Sequence, residues 1–157
     1  MIKVKNKIQL TRVDNRLVHG QIAIIWRAYL RANVIIVPDD DVMKNKMIMA
    51  LMKMTAKSAG AKVIFCCVND IKQELDNIND EKVFIVCKTP QIAKQIVDKE
   101  IPIVEISVGN MYNTNGKKLL ASNVYVDDND LEDIKYIKSK GINIYIQDMP
   151  NTKKIKL

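Results

Sequence analysis

The chain contains a single histidine, and the groups around it are those that handle an anion. The run Arg12-Val-Asp-Asn-Arg-Leu-Val-His19-Gly-Gln, closed by Trp26, gathers His19, two of the four arginines, Asp14 and Gly20. A phosphoryl group is best met by cations in fork geometry, which arginine supplies with two parallel N–H donors. Free backbone amides at a helix N-terminus add to this, here those of Gly20, Gln21 and Ile22. Gly20 has no Cβ to hold an anion away from the backbone. A histidine with an ordinary pKa is neutral in about half or more of molecules near pH 7, leaving one ring nitrogen free to attack phosphorus. Two roles are open to Asp14: accepting the proton on the other ring nitrogen, or orienting Arg12 or Arg16. A histidine merely bonded to a turn, with arginines pointing outward, is the bland alternative.

The elements that must position this loop follow from periodicity. Ile8–Val13 reads as a strand and Gln21–Leu30 as a helix, so His19 falls at the carboxyl end of a strand, where open α/β sheets place ligands. Further short apolar runs, 34–37, 62–68, 82–86, 103–106 and 143–147, are rich in β-branched residues, as in strands buried on both faces. Helical segments over 42–59, 70–78, 90–99 and 129–140 separate them. Asp41 is a candidate N-cap, Thr89-Pro90 a cap followed by proline, and Gly60 and Gly141 are helix stops. The alternation predicts a three-layer α/β/α sandwich with a mainly parallel sheet of six to seven strands, formed by one domain over 1–157. Met43, Met47, Leu51 and Met54 recur on one helical face and are expected in the core. The stretch 107–118 is too polar and glycine-rich for a regular element and reads as a loop at the His19 edge. Asp39 and Asp40 follow the second strand; capping the next helix is favoured over holding Mg²⁺.

The motif resembles the signature of the IIB component of bacterial sugar phosphotransferase systems, mannose/fructose/sorbose type. Weaker similarity extends over nearly the whole chain, through Val34-Ile-Ile-Val-Pro-Asp39-Asp40, Lys88-Thr-Pro90 and Ile106-Ser-Val-Gly109-Asn-Met111. Asn15 and Asn110 depart from it, the latter where glycine is expected. The resemblance implies a phosphoryl carrier, a protein-N(π)-phosphohistidine–sugar phosphotransferase. His19 accepts the group through Nδ1 from a IIA phosphohistidine and passes it to a hexose entering through membrane IIC/IID components. Arg12, Arg16 and Asp14 are then catalytic, and Gly20, Gln21 and Ile22 bind the phosphate. A regulatory receiver domain is the competing reading, but its acid pair belongs after the first strand, where this chain has arginines and histidine.

Composition narrows the classes further. Hydrophobic residues make up 48% and charged residues 27%, as in water-soluble globular chains, and no apolar run approaches a membrane span. The basic start Met1–Lys7 leads into no apolar segment, so no signal peptide is expected and the cytoplasm, beside the membrane permease, is the expected compartment. Cys66, Cys67 and Cys87 are odd in number and two are adjacent, which speaks against a disulfide framework. One histidine provides no zinc set, and no cofactor is expected. The net charge of +7 suits an acidic protein partner; with aromatics at only 5%, nucleic acid is not expected. A homo-oligomer is compatible with the sequence.

Overall fold

A computed structural model describes residues 7–79 and 81–157. The N-terminal residues 1–6 on which the signal-peptide expectation rests lie outside them. The main sheet is built from β1 (Ile8–Asp14), β2 (Val34–Pro38), β3 (Lys62–Cys66), β4 (Val83–Cys87), β5 (Glu105–Asn110), β8 (Asn143–Ile146) and β9 (Ile155–Lys156). Its seven strands run in the order β3-β2-β4-β1-β5-β8-β9. All pairings are parallel except β8 with β9, which is antiparallel. β2 and β4 are buried at every position, as continuous apolar runs require when helices cover both faces.

One face carries a π-helical turn, Gln21–Trp26, running into α1 (Arg27–Leu30), and beside it α2 (Lys46–Ser58). The other carries α3 (Ile71–Asn77), α4 (Pro90–Asp98) and α5 (Asp128–Ser139). The three-layer expectation is thus met. Because β1 leads to one face while β4 and β5 lead to the other, a crevice opens at their carboxyl ends. Thr89 caps α4 through Oγ1, with Pro90 at its first turn. Asp127 and Asp130 form a reciprocal capping box on α5. Gly60 and Gly141, both at φ +80°, follow the ends of α2 and α5.

Three expectations need correction. Asp41 caps nothing through its side chain: Asp39 Oδ1 accepts the amides of Asp41 and Val42, and Asn45 caps α2, which starts only at Lys46. The run 107–118 is not one loop. Ser107–Asn110 continues β5 between β1 and β8, and an antiparallel hairpin, β6 (Lys118–Ala121) with β7 (Val124–Val126), follows. Polarity misled there because Ser107 faces a buried cation rather than water. Finally, Met43, Met47, Leu51 and Met54 are 38, 75, 57 and 66% exposed. The inner face of α2 is carried by Met52 and Ala56 instead, so the helix is apolar on both sides and periodicity alone picked the wrong one.

Candidate functional site

Sequence and register first separate the two arginines. In β1, Arg12 pairs with Ser107 of β5 and with Val86 of β4, in the middle of the sheet, and its side chain is wholly buried. Its guanidinium lies 4.5 Å from the Trp26 ring centroid. Nη1 donates to Ser107 Oγ at 2.9 Å and to the Gln147 carbonyl at 2.7 Å, and Nη2 donates to the Asp148 carbonyl at 2.9 Å. Burial pushes this guanidinium down to about 10, with Asp14 opposing the shift, so it is still a cation at neutral pH. Gly109 makes the arrangement possible: a Cβ there would lie 1.8 Å from Arg12 Nη2. Arg12 therefore does not reach an anion at the loop. It ties β1, β5 and the segment after β8 together.

Arg16 is the accessible cation, with 27% of its side chain exposed. Asp14, fully buried at the end of β1, accepts from Arg16 Nε and Nη2, both at 2.9 Å, and from the Arg16 amide at 3.0 Å. Of the two roles open to Asp14, the structure shows the orientation of arginine. A paired carboxylate also holds the Arg16 guanidinium above its usual value, and this bond is the largest cause. Gln21 Oε1 accepts from Arg16 Nη1 at 3.3 Å, and its amide nitrogen reaches Asp148 Oδ1 at 3.2 Å.

His19, on the same turn, is half-buried. Leu17, in the left-handed region at φ +56°, turns its carbonyl toward the ring, 2.9 Å from Nδ1. The imidazole pKa is lowered, first by partial burial, so the ring is neutral at pH 7, and this contact assigns its proton to Nδ1. Nε2 is buried without a partner. The amide of Ala23 closes the first turn on the His19 carbonyl at 2.8 Å. The amides of Gly20, Gln21 and Ile22 precede this first bonded one and have no carbonyl a turn behind them in the helix. Gly20 is exposed, and a Cβ there would meet nothing within 4 Å. Its absence of side chain therefore serves no packing purpose.

The structure thus brings His19, Arg16, Asp14, Gly20, Gln21 and Ile22 to one loop and sets Arg12 beneath it. What sequence reasoning missed is the segment after β8. Asp148 receives Arg12 Nη2 and Trp26 Nε1 on its carbonyl, the latter at 3.0 Å, while its carboxylate meets Gln21. No spacing in the chain signals that contact. Asn15 is a second missed element: its side chain bonds the Lys88 carbonyl and the Tyr112 amide, clamping the loops after β4 and β5 beside the site. Asp39 and Asp40 spend their carboxylates on backbone amides, Asp40 on that of Val68. A hollow of about 420 Å³ is lined by these aspartates with Lys88, Thr89 and Gln91, and His19 does not line it.

By class this is a doubly wound α/β protein whose candidate site sits at the carboxyl end of a central strand. A family model described as the PTS system (phosphotransferase system) sorbose subfamily IIB component matches residues 8–157. The chain is 39% identical over 148 residues to the N-acetylgalactosamine-specific phosphotransferase enzyme IIB component 1 of Escherichia coli K12, covering 94% of each. It is 28% identical over 140 residues to the sorbose-specific EIIB component of Klebsiella pneumoniae, with 88% of this chain and 85% of the relative covered. Among solved structures, the crystal structure of the E. coli N-acetylgalactosamine-specific IIB component 1 matches with a TM-score of 0.91 at 39% identity, over 96% of this chain and 99% of that one. The crystal structure of the IIBSor domain of the K. pneumoniae sorbose permease gives 0.89 at 26% identity, over 96% and 93%. The chain belongs to the sorbose subfamily of phosphotransferase system IIB components. The receiver reading falls with that result.

Proposed function

We propose that this chain is the phosphoryl carrier of a sugar-uptake system, with His19 as the acceptor. A IIA-type protein bearing a phosphohistidine is the donor, and a hexose entering through membrane IIC/IID components is the final acceptor. The observation that carries this reading is a neutral imidazole with an unpartnered Nε2, on the same turn as an exposed glycine and an arginine fixed by a buried carboxylate. The lone pair of one His19 nitrogen attacks phosphorus, and the P–N bond to the donor breaks with its electrons returning to the donor imidazole. In the second transfer a sugar hydroxyl attacks, loses its proton, and His19 leaves with the P–N electrons. Arg16 neutralises oxygens of the transferring group, and the amides of Gly20, Gln21 and Ile22 take the product phosphate. Arg12 acts from beneath, by holding Trp26 and Asp148 in place. Attack through Nδ1 requires the ring to leave the Leu17 carbonyl and carry its proton on Nε2.

The three thiols are the other nucleophiles at this sheet edge. Burial pushes Cys66 up to about 12 and raises Cys87 further. Desolvation and then the Asp40 and Asp70 carboxylates raise Cys67. Thiolates are disfavoured at all three; Lys44 opposes the shift at Cys67 but is the smallest of its causes.

An N-acetylated hexosamine is the first sugar to test. The relative with that printed specificity is 39% identical, against 28% for a sorbose-specific and 26% for a mannose-specific one. No helix among the described residues is long and apolar enough to cross a membrane, which suits a carrier working at the cytoplasmic side of a permease. The test is reconstitution with a phosphorylated IIA-type donor and membrane components, offering N-acetylgalactosamine, sorbose and mannose. The reading expects one sugar phosphate to form with the wild-type chain and none with His19→Ala. Sugar phosphate formed by His19→Ala would overturn it.

A further inference from the structure

Among the described residues, none covers the outer side of the face formed by the π-helical turn, α1 and α2. Eight of the fourteen exposed large apolar side chains among the described residues lie on it or on the turn entering α2. Ile24 and Tyr29 are 61 and 65% exposed, and Met47, Leu51 and Met54 form the outer row of α2, which covers the same face of the sheet. Exposed apolar side chains concentrated on one face in this way mark an interaction site. It starts at the His19 edge: Ile24 lies four residues beyond Gly20, and Met43 and Met47 lie where β2 hands over to α2.

Charge restricts the occupant. From Gln21 to Arg31 and from Val42 to Lys62 the sequence holds Arg27, Arg31, Lys44, Lys46, Lys53, Lys57 and Lys62 and no acidic residue. The intervening Asp39, Asp40 and Asp41 line the hollow beside Lys88 instead. A second copy paired about a two-fold axis would set these cations against one another. An anionic bilayer would match the charge. However, among the described residues Tyr29 is the only exposed aromatic on the face, where interfacial helices carry Trp and Phe, and methionine is the side chain that repacks around protein.

We propose that this face docks the phosphoryl donor, a protein surface with an apolar centre and a carboxylate rim, seated across α1 and α2 and reaching His19 over their ends. The inference rests on the carrier reading above. Leu51 and Met54 touch neither His19 nor Arg16, so they act on encounter and not on chemistry.

The experiment measures initial phosphoryl transfer from a purified, phosphorylated IIA-type donor over a range of donor concentrations, for wild type, Leu51→Glu and Met54→Glu. Both positions are exposed, and circular dichroism checks that the variants fold. The donor KM should rise at least ~tenfold in each while kcat at saturation is kept, as for residues at the centre of an interface. Wild-type KM should rise with salt, and the rise should be shallower in Lys46→Glu/Lys53→Glu. Unchanged KM in both glutamate variants would overturn the proposal. So would wild-type self-association, or binding to anionic vesicles, that the same substitutions abolish while leaving donor KM alone. If the wild-type chain takes no label at any donor concentration, the carrier reading itself falls.

Discussion

Replacing Gly109 with alanine should be among the most damaging single changes in the chain, although it adds one methyl group. That methyl would lie 1.8, 2.2 and 2.7 Å from Nη2, Cζ and Nε of Arg12, so the guanidinium must move. It has little freedom: the Trp26 ring lies on one side, and Ser107 Oγ and the carbonyls of Gln147 and Asp148 hold its donors. Overpacking a filled core costs roughly 1–3 kcal/mol. Each hydrogen bond lost from a charged donor adds about 1.5–3 kcal/mol. With two of the three bonds lost or stretched, the expected cost is on the order of 4–9 kcal/mol, an exceptional value for a point change. For a chain of this size that corresponds to a fall in Tm of roughly 10–35 °C. Urea denaturation of wild type, Gly109→Ala, Arg12→Ala and the double variant separates the clash from any general intolerance of the site. In the Arg12→Ala background the added methyl has room, so its further cost should be below about 1 kcal/mol, giving a coupling of several kcal/mol. A Gly109→Ala protein within 0.5 kcal/mol of wild type, or additive effects in the double variant, would refute the reasoning.

Other expectations follow from the same geometry. Asp14→Asn removes the charge that holds Arg16, and single-turnover transfer should slow on the order of a hundredfold; wild-type rates would show Asp14 to be dispensable. Arg16→Lys should restore little, because the paired donors to Asp14 and the Nη1 that reaches Gln21 need a planar fork; near-native single-turnover rates would count against that geometry. The His19 ring titrates below the ordinary imidazole value, so an NMR titration should place its midpoint under 6.5. The sign for stability follows: the unfolded chain takes up this proton first, so the contribution of neutral His19 is present above pH 6.5 and diminishes as pH falls below it. A midpoint at or above 6.5 would contradict both statements. Asp39→Ala should cost about 1–2 kcal/mol by removing the carboxylate that gathers two amides, and thermal denaturation measures it.

The layers and the parallel sheet were legible because buried strands write themselves as continuous apolar runs between capped helices. Thr89-Pro90, Gly60 and Gly141 acted in the structure as the sequence suggested. The loop from Asp14 to Ile22 was legible because its reactive groups are close in sequence, so one local turn assembles them. Arg12 was placed wrongly for the converse reason. Its surroundings, Ser107, Gly109, Gln147 and Asp148, come from β5 and the far end of the chain, and no local pattern links them. The methionine row failed differently: periodicity identifies a face, but α2 has two apolar faces, and only the packing of Met52 and Ala56 shows which is inner. β9 was invisible because two residues at a sheet edge carry no periodicity.

The central claim is that one nitrogen of His19 carries the phosphoryl group. Incubating the chain with a phosphorylated IIA-type donor and mapping the product by tandem mass spectrometry, beside ³¹P NMR at neutral pH, tests it directly. The account predicts one phosphoryl group on His19, absent from His19→Ala and retained when Cys66, Cys67 and Cys87 are all serine. Phosphate on a cysteine, or labelling that survives in His19→Ala, would contradict it.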